Sequence, residues 1–435
     1  MISCYEEHLK ELISRYETIL EQLDYDVAVV SSGHLVGVAN DDRTYSFIAR
    51  ASAQQWVPYD IHPNSYIVFR TGQKPILVWP AHKDFWHLSP VEPNGEWVKG
   101  WDLIPHTDNN DWITALKGRV AWIGPFARNM PPDITSVHHD PEVFVRALSY
   151  YRVYKTDYEV AAMSAASHQA VRGHLAAEQA FKENKSEAEI YLAFLAASKQ
   201  LESLEPYSGI VALNESGATL HYERRSYQRH EKQLTLLIDA GAKVNGYASD
   251  ITRTHTLGTS IFSDVLQRME FLQVSLSQMV KPGVAMKTLH QRAELGIANI
   301  LNEVGICRLS AEEQIEKEVT KAFFPHGLGH LLGLNVHDFG AEQVQPFSMP
   351  EAGTTSNRLR LSRELEKGMV ITIEPGLYFN HMLIDGLIKN EPQHGLDLDL
   401  IETLFPYGGI RIEDNINVLE GSGRNLTREA FAALG

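Results

Sequence analysis

The chain is 435 residues long, 44% hydrophobic and 22% charged, with a formal net charge of −16. That length exceeds what one ordinary core organises, the composition excludes large-scale disorder, and a negative balance without a basic run argues against nucleic-acid or anionic-membrane partners. Two cysteines, no apolar run of the ~18–20 residues a membrane span needs, and an acidic N-terminus without a signal-peptide core make the cytoplasm the expected location.

The first predicted element is an amphipathic helix, because Tyr5, Leu9, Leu12, Tyr16, Ile19 and Leu23 recur at steps of three and four. Short apolar runs follow at 26–31, 65–70, 75–79 and 120–124 and read as strands. The Trp- and Pro-rich stretch between the last two reads as loop with a short helix. Helix plus near-continuous apolar strands predict an α/β domain over residues 1–155. Within it, the doublet Asp41-Asp42 reads as a solvated turn. Thr156-Asp-Tyr-Glu159 is a capping box that opens a helix and a second domain, 156–435. A second box, Ser186-Glu-Ala-Glu189, opens another helix, and two more flank the break at Lys281-Pro-Gly283. The remainder is predicted to alternate strands and loops, with long loops at 339–365 and 380–406.

The densest chemistry lies in Phe324-Pro-His-Gly-Leu-Gly-His-Leu-Leu-Gly-Leu-Asn-Val-His-Asp338. It holds three histidines, His326, His330 and His337, spaced by glycines that weaken a helix by roughly 1 kcal/mol each. Imidazole can bind a metal, shuttle a proton or grip an anion, and the run leaves those uses open.

Carboxylates narrow the choice. The apolar run Leu234–Asp239 ends in an acid, Asn245-Gly246 marks a turn, and 247–254 reads as a returning strand, so Asp239 and Asp250 are expected nearly opposite each other. Glu374 ends the apolar run 370–373, and alternation in 409–416 puts Arg411 on the face of Glu413. Single acids of this kind are often salt-bridged structural residues. Four of them with a glycine-flanked histidine fit hard divalent ions, and such a set can hold two of them with a bridging water.

Five ordered segments carry a resemblance: Asp239-Ala-Gly, Ser249-Asp-Ile-Thr-Arg-Thr254, the histidine run, Thr372-Ile-Glu-Pro-Gly376 and Gly409-Ile-Arg-Ile-Glu-Asp414. The chain resembles, over nearly its whole length, the pita-bread metallopeptidases, and among them the bacterial Xaa-Pro dipeptidases (prolidases); it is also similar to organophosphorus acid anhydrolases. The resemblance implies an α/β N-terminal domain and an α+β pita-bread catalytic domain. It further implies a homodimer and two divalent ions per subunit, usually Mn²⁺, which activate a hydroxide against Xaa-Pro dipeptides. Its metal ligands fall on Asp239, Asp250, His330, Glu374 and Glu413, with Glu374 also as general base. His221, His337 and Arg411 match catalytic positions, and His326, Tyr207 and Val336 match substrate-facing ones. Asp42 matches an acid given to the partner subunit's site. A side activity on organophosphate triesters is implied. The alternatives are an aminopeptidase P taking longer Xaa-Pro peptides and a metal-free pita-bread binding module.

Overall fold

In the computed structural model, residues 4–107, 111–127, 130, 136–348 and 359–434 are described. The chain forms two units. One comprises Met1–Ala162, Asn245–Tyr247 and Gln343–Glu351, and the other Met163–Val244, Ala248–Glu342 and Ala352–Gly435.

The first unit begins with α1 (Tyr5–Gln22), whose predicted stripe Leu9, Leu12, Tyr16 and Ile19 is buried. There follow β1 (Val27–Ser31), α2 (Ala51–Gln54), β2 (Tyr66–Phe69), β3 (Ile76–Pro80), β4 (Asp102–His106), α3 (Asp111–Thr114), β5 (Val120–Ile123), β6 (Val137–His139) and α4 (Glu142–Arg152). They make one mixed six-stranded sheet in the order β4-β3-β2-β1-β5-β6. Strand β1 is buried at every position, as a central strand covered on both faces must be. Strand β4 lies where loop and short helix were expected. It is an edge strand, where Pro105 removes no ladder hydrogen bond that a neighbour needs.

Helix α5 (Asp157–Lys182) opens on the expected reciprocal cap: the Thr156 N–H donates to Glu159 Oε2 at 2.8 Å, and the Glu159 N–H to Thr156 Oγ1 at 3.4 Å. Ser186 and Glu189 open α6 (Glu187–Ser198) the same way, a device worth about 1 kcal/mol. Then come β7 (Ile210–Leu213), β8 (Thr235–Asp239), β9 (Lys243–Val244), β10 (Tyr247–Ala248) and β11 (Thr252–Thr256). Antiparallel β11-β8-β7 has β8 at its centre. Leu236 and Ile238 of β8 pack with Phe181, Ile190 and Phe194 of α5 and α6, while Leu237 packs with Tyr378 on the other face. Period two therefore sends Asp239 to the Tyr378 face. That choice of face creates the site.

Two expectations need correction here. Asp239 stands opposite Thr252, not Asp250. The Asn245-Gly246 turn closes its own short hairpin, β9–β10, so the returning strand starts later and Asp250 lies in the connection just before it. The chain continues through α7 (Ile261–Gln278), α8 (Met286–Glu303), α9 (Ala311–Glu316), α10 (Val319–Phe323), β12 (Val370–Ile373), β13 (Gly376–Tyr378), α11 (His381–Asn390), α12 (Leu398–Leu404), β14 (Gly409–Arg411), β15 (Asp414–Val418), β16 (Gly423–Asn425) and α13 (Leu426–Leu434). Helices α11 and α12 replace the loop expected at 380–406, and α9, α10 and α13 were not expected. The Asn380 and Asp397 side chains accept from the backbone N–H of Leu383 and Leu400, so each helix is capped by a residue that composition alone marks as loop-forming. Of the loop expected at 339–365, the described residues carry no helix or strand, and 349–358 lie outside the described residues.

Candidate metal centre

Strand ends deliver the carboxylates. Asp239 ends β8, Asp250 precedes β11, Glu374 follows β12, and Glu413 sits in the break between β14 and β15. Arg411 ends β14 while Glu413 lies outside both strands, yet both face Thr252 Oγ1, and Ile410 and Ile412 between and beside them are buried. An antiparallel bridge, with the Glu413 N–H donating to Thr252 O at 3.0 Å, ties the break to the start of β11. The Asp250 N–H donates to Asn415 Oδ1 at 3.0 Å, and the Asn415 amide donates back to the Asp250 carbonyl, which fixes that backbone.

The histidine run passes as extended chain alongside β12. The Glu374 N–H donates to Leu328 O at 2.8 Å and the Thr372 N–H to His330 O at 2.9 Å. A Cβ on Gly329 would lie 2.0 Å from the Thr372 carbonyl oxygen, so only glycine permits this approach. His330 Nδ1 lies 3.0 Å from the Leu331 carbonyl and donates to it, because a carbonyl can only accept. Its Nε2 faces the carboxylates, 3.4 Å from Asp250 Oδ2 and 3.6 Å from Glu374 Oε1; against burial, their hydrogen bonding and charge raise the His330 pKa, so a proton at Nε2 pairs with them in the metal-free protein. A divalent ion can take that proton's place between the same nitrogen and oxygens. Asp250, His330 and Glu413 each offer a ligand atom, all three within 4.8 Å of one another. The donor set fits a hard or borderline divalent ion.

Asp239 and Arg411 form the flank. The Arg411 guanidinium donates to Asp239 Oδ2 at 2.7 Å, to Tyr378 Oη at 2.9 Å and to Thr252 Oγ1 at 3.3 Å, while Tyr207 Oη donates to Asp239 Oδ1 at 2.8 Å. Tyr378 passes its own proton toward His326 Nε2 at 2.8 Å, and His326 Nδ1 donates to the Gly327 carbonyl. His326 is thus a neutral ring, held down to about 3 by burial and the Arg411 charge. Tyr378 and Thr252 are site residues that sequence reasoning did not single out. Both lay within or beside the quoted motifs, and their signal was an apolar alternation that turns a polar tip inward.

Burial dominates the charge states. It pushes Glu374 up to about 7, with the Asp250 charge adding to it against His330 and Arg411. It raises Glu413 well above the carboxylate range, reinforced by Asp250, Glu374 and Asp239. Asp239 is also raised by burial, although Arg411 pulls the other way. Asp250 goes down, because its hydrogen bond and charge pairing with His330 outweigh burial. Opposed shifts among close acids identify a site that is short of positive charge.

The other expected residues fall at different distances from this centre. His337 is exposed and packs edge-on against the His330 ring, with centroids 4.4 Å apart. His221 is exposed and close enough to act electrostatically on His326 and His337. Val336 is half-buried in the same run. Asp42 belongs to the other unit, exposed in a turn where its neighbour Asp41 pairs with Arg43 at 2.7 Å. Among the described residues, no helix is long and apolar enough to cross a membrane.

Comparison with known proteins gives the family and the fold. Residues 161–420 match metallopeptidase family M24, and residues 3–150 match the N-terminal domain of Xaa-Pro dipeptidase. The Xaa-Pro dipeptidase of Xanthomonas campestris pv. campestris strain B100 is 39% identical over 439 residues, 99% of this chain and 98% of its own length. That of Pseudoalteromonas atlantica is 37% identical over 436 residues, 98% of each chain. Aminopeptidase PepP of Pseudomonas aeruginosa shares the fold, with a TM-score of 0.74 at 20% identity over 99% of this chain and 96% of its own. So does Escherichia coli aminopeptidase P with the inhibitor Pro-Leu, with a TM-score of 0.74 at 21% identity over 97% and 95%. Fold and site together define a hydrolase with an α/β N-terminal domain and a pita-bread catalytic domain, and the chain belongs to metallopeptidase family M24. Within that family it falls among the bacterial Xaa-Pro dipeptidases, the prolidases.

Proposed function

We propose that the protein hydrolyses Xaa-Pro dipeptides with two divalent ions, most readily Mn²⁺, held by Asp239, Asp250, His330, Glu374 and Glu413. The observation that carries this reading is the convergence of His330 Nε2 with the carboxylates of Asp250 and Glu374 in one buried centre. Bound ions would supply Lewis acidity toward the carbonyl before proline and lower the pKa of the attacking water.

The chain's own residues do the rest. Glu374 takes the proton of the attacking water and delivers it to the leaving imino nitrogen. His337 and His221, at the exposed edge, steady the developing oxyanion and relay protons. Arg411 or His326 holds the free carboxylate of the proline, His326 by giving up its bond to the Gly327 carbonyl, and Tyr207 and Val336 line the pocket. A grip on that carboxylate restricts the enzyme to dipeptides.

The N-terminal domain, 1–155, serves dimerisation and gives Asp42 to the partner's site, and the enzyme works in the cytoplasm. Sedimentation velocity checks the dimer, and a monomer at assay concentration contradicts it. A tetrahedral phosphorus centre resembles the hydrolytic transition state, so slow organophosphate triester hydrolysis accompanies the main activity. A fluorophosphonate that stays intact with Mn²⁺-loaded enzyme removes that claim. The main test is metal-stripped protein given Xaa-Pro dipeptides and Xaa-Pro-Xaa tripeptides before and after adding Mn²⁺. Metal-dependent cleavage of the dipeptides is expected, whereas preference for the tripeptides would make the enzyme an aminopeptidase P.

A further inference from the structure

Thr252 is fully buried, and its hydroxyl is committed on both sides. It lies 3.3 Å from Arg411 Nε, which can only donate, so the threonine oxygen accepts there. The single hydroxyl proton is left for Glu413 Oε2, 2.7 Å away. Among the described residues, this is the one hydrogen bond made to the Glu413 carboxylate, whose other neighbours include the like charges of Asp250, Glu374 and Asp239. The backbone beneath is stapled as well. Arg253 Nη1 donates to the carbonyls of both Thr252 and Glu413 at 2.8 Å, and its Nη2 is anchored on Asp414 Oδ1 at 2.6 Å.

From this we infer that Thr252 is a positioning residue: its hydroxyl selects the rotamer in which Glu413 presents its carboxylate beside Asp250 and His330, and joins that ligand to Arg411. A β-branched side chain in a strand has a stiff χ1, so the direction of the donor is set by the backbone that Arg253 holds. Without the donor, a glutamate among like charges has nothing to prefer that rotamer until an ion arrives. The free energy of ordering it then comes out of ion binding. Thr252 touches neither substrate nor ion and acts through Glu413. The inference rests on the two-ion reading of the site.

The test compares metal-stripped wild type with Thr252→Val, which keeps shape and loses the hydroxyl, and Thr252→Ser, which keeps the hydroxyl. Mn²⁺ titration calorimetry is the first readout, and kcat and KM on an Xaa-Pro dipeptide at saturating Mn²⁺ the second. The valine variant is expected to bind Mn²⁺ roughly 10–100-fold more weakly and to lose kcat with KM little changed, while serine stays near wild type. If the valine protein does not fold, Thr252→Ala is compared with serine in the same way. Wild-type affinity and kcat in the valine variant overturn the inference and leave the two-ion reading standing. Equal losses in valine and serine also overturn it, since disturbance of the site by any substitution, and not loss of the hydroxyl, would then be the cause. Failure of wild type to bind Mn²⁺ overturns the two-ion reading itself.

Discussion

Glu413 and Asp414 are consecutive buried acids with opposite surroundings. Asp414 is met by Arg253 Nη2 at 2.6 Å, Arg428 Nε at 2.7 Å and Asn425 Nδ2 at 2.8 Å. Burial would raise its pKa, but the two guanidinium groups outweigh burial and hold it below the usual carboxylate range. Glu413 receives one hydroxyl and faces three further acids, so burial and like charge together raise it. The chain balances one acid with its own cations and leaves the next for cations from outside. Structural and functional carboxylates are told apart here by their partners, since both are equally buried.

The comparison can be broken most severely at the ligand histidine. His330→Ala should lose stoichiometric metal and more activity than the roughly 100-fold expected from losing an outer-sphere partner. Full turnover at saturating Mn²⁺ would sink the assignment. His221→Ala touches neither carboxylate and should keep metal by elemental analysis while losing about 100-fold in kcat. Removing charge from the paired acid and from the unpaired one gives the sharpest contrast in stability. In the metal-free protein, Asp414→Asn leaves Arg253 facing a neutral group and should cost about 3 kcal/mol in urea unfolding. Glu413→Gln should be neutral or stabilising there, and equal losses would mean that the two acids are alike.

Glu374 supplies the pH version. Its folded-state pKa, about 7, lies above the ordinary carboxylate value of ~4.3, so the metal-free folded state binds this proton more tightly than the unfolded chain does. Its contribution to stability is therefore lost as pH rises from about 4.5 through 7. Metal-free Glu374→Gln should match wild type in melting temperature near pH 5 and exceed it at pH 8, and a gap of the opposite sign would refute the shift. The smallest effect belongs to Thr372. Its hydroxyl accepts from the His330 N–H at 3.1 Å and lies 3.4 Å from Glu374 Oε1, a longer contact than that of Thr252, so Thr372→Val should lose less Mn²⁺ affinity than Thr252→Val.

Much of the fold and of the candidate site was legible in the chain itself. The caps at Thr156 and Ser186 follow from local hydrogen bonding, and the close passage at Gly329 from a glycine between two histidines. Asp239 and Glu374 were marked by apolar strands that end in an acid. The register of Asp239 against Thr252 was not legible, because a nested hairpin at Asn245-Gly246 lengthens the connection without altering its pattern. The helices at 381–390 and 398–404 were hidden by capping residues that also favour loops. The cations that separate Asp414 from Glu413 come from residues 253 and 428, so no local window shows which of the two neighbours is paired.

Calorimetric titration of the metal-stripped protein with Mn²⁺ tests the central claim most directly. Two equivalents per chain are expected, with Xaa-Pro dipeptide cleavage appearing as they bind and a higher melting temperature in the loaded protein. A protein that binds no Mn²⁺, or cleaves these dipeptides equally well without it, would contradict the account.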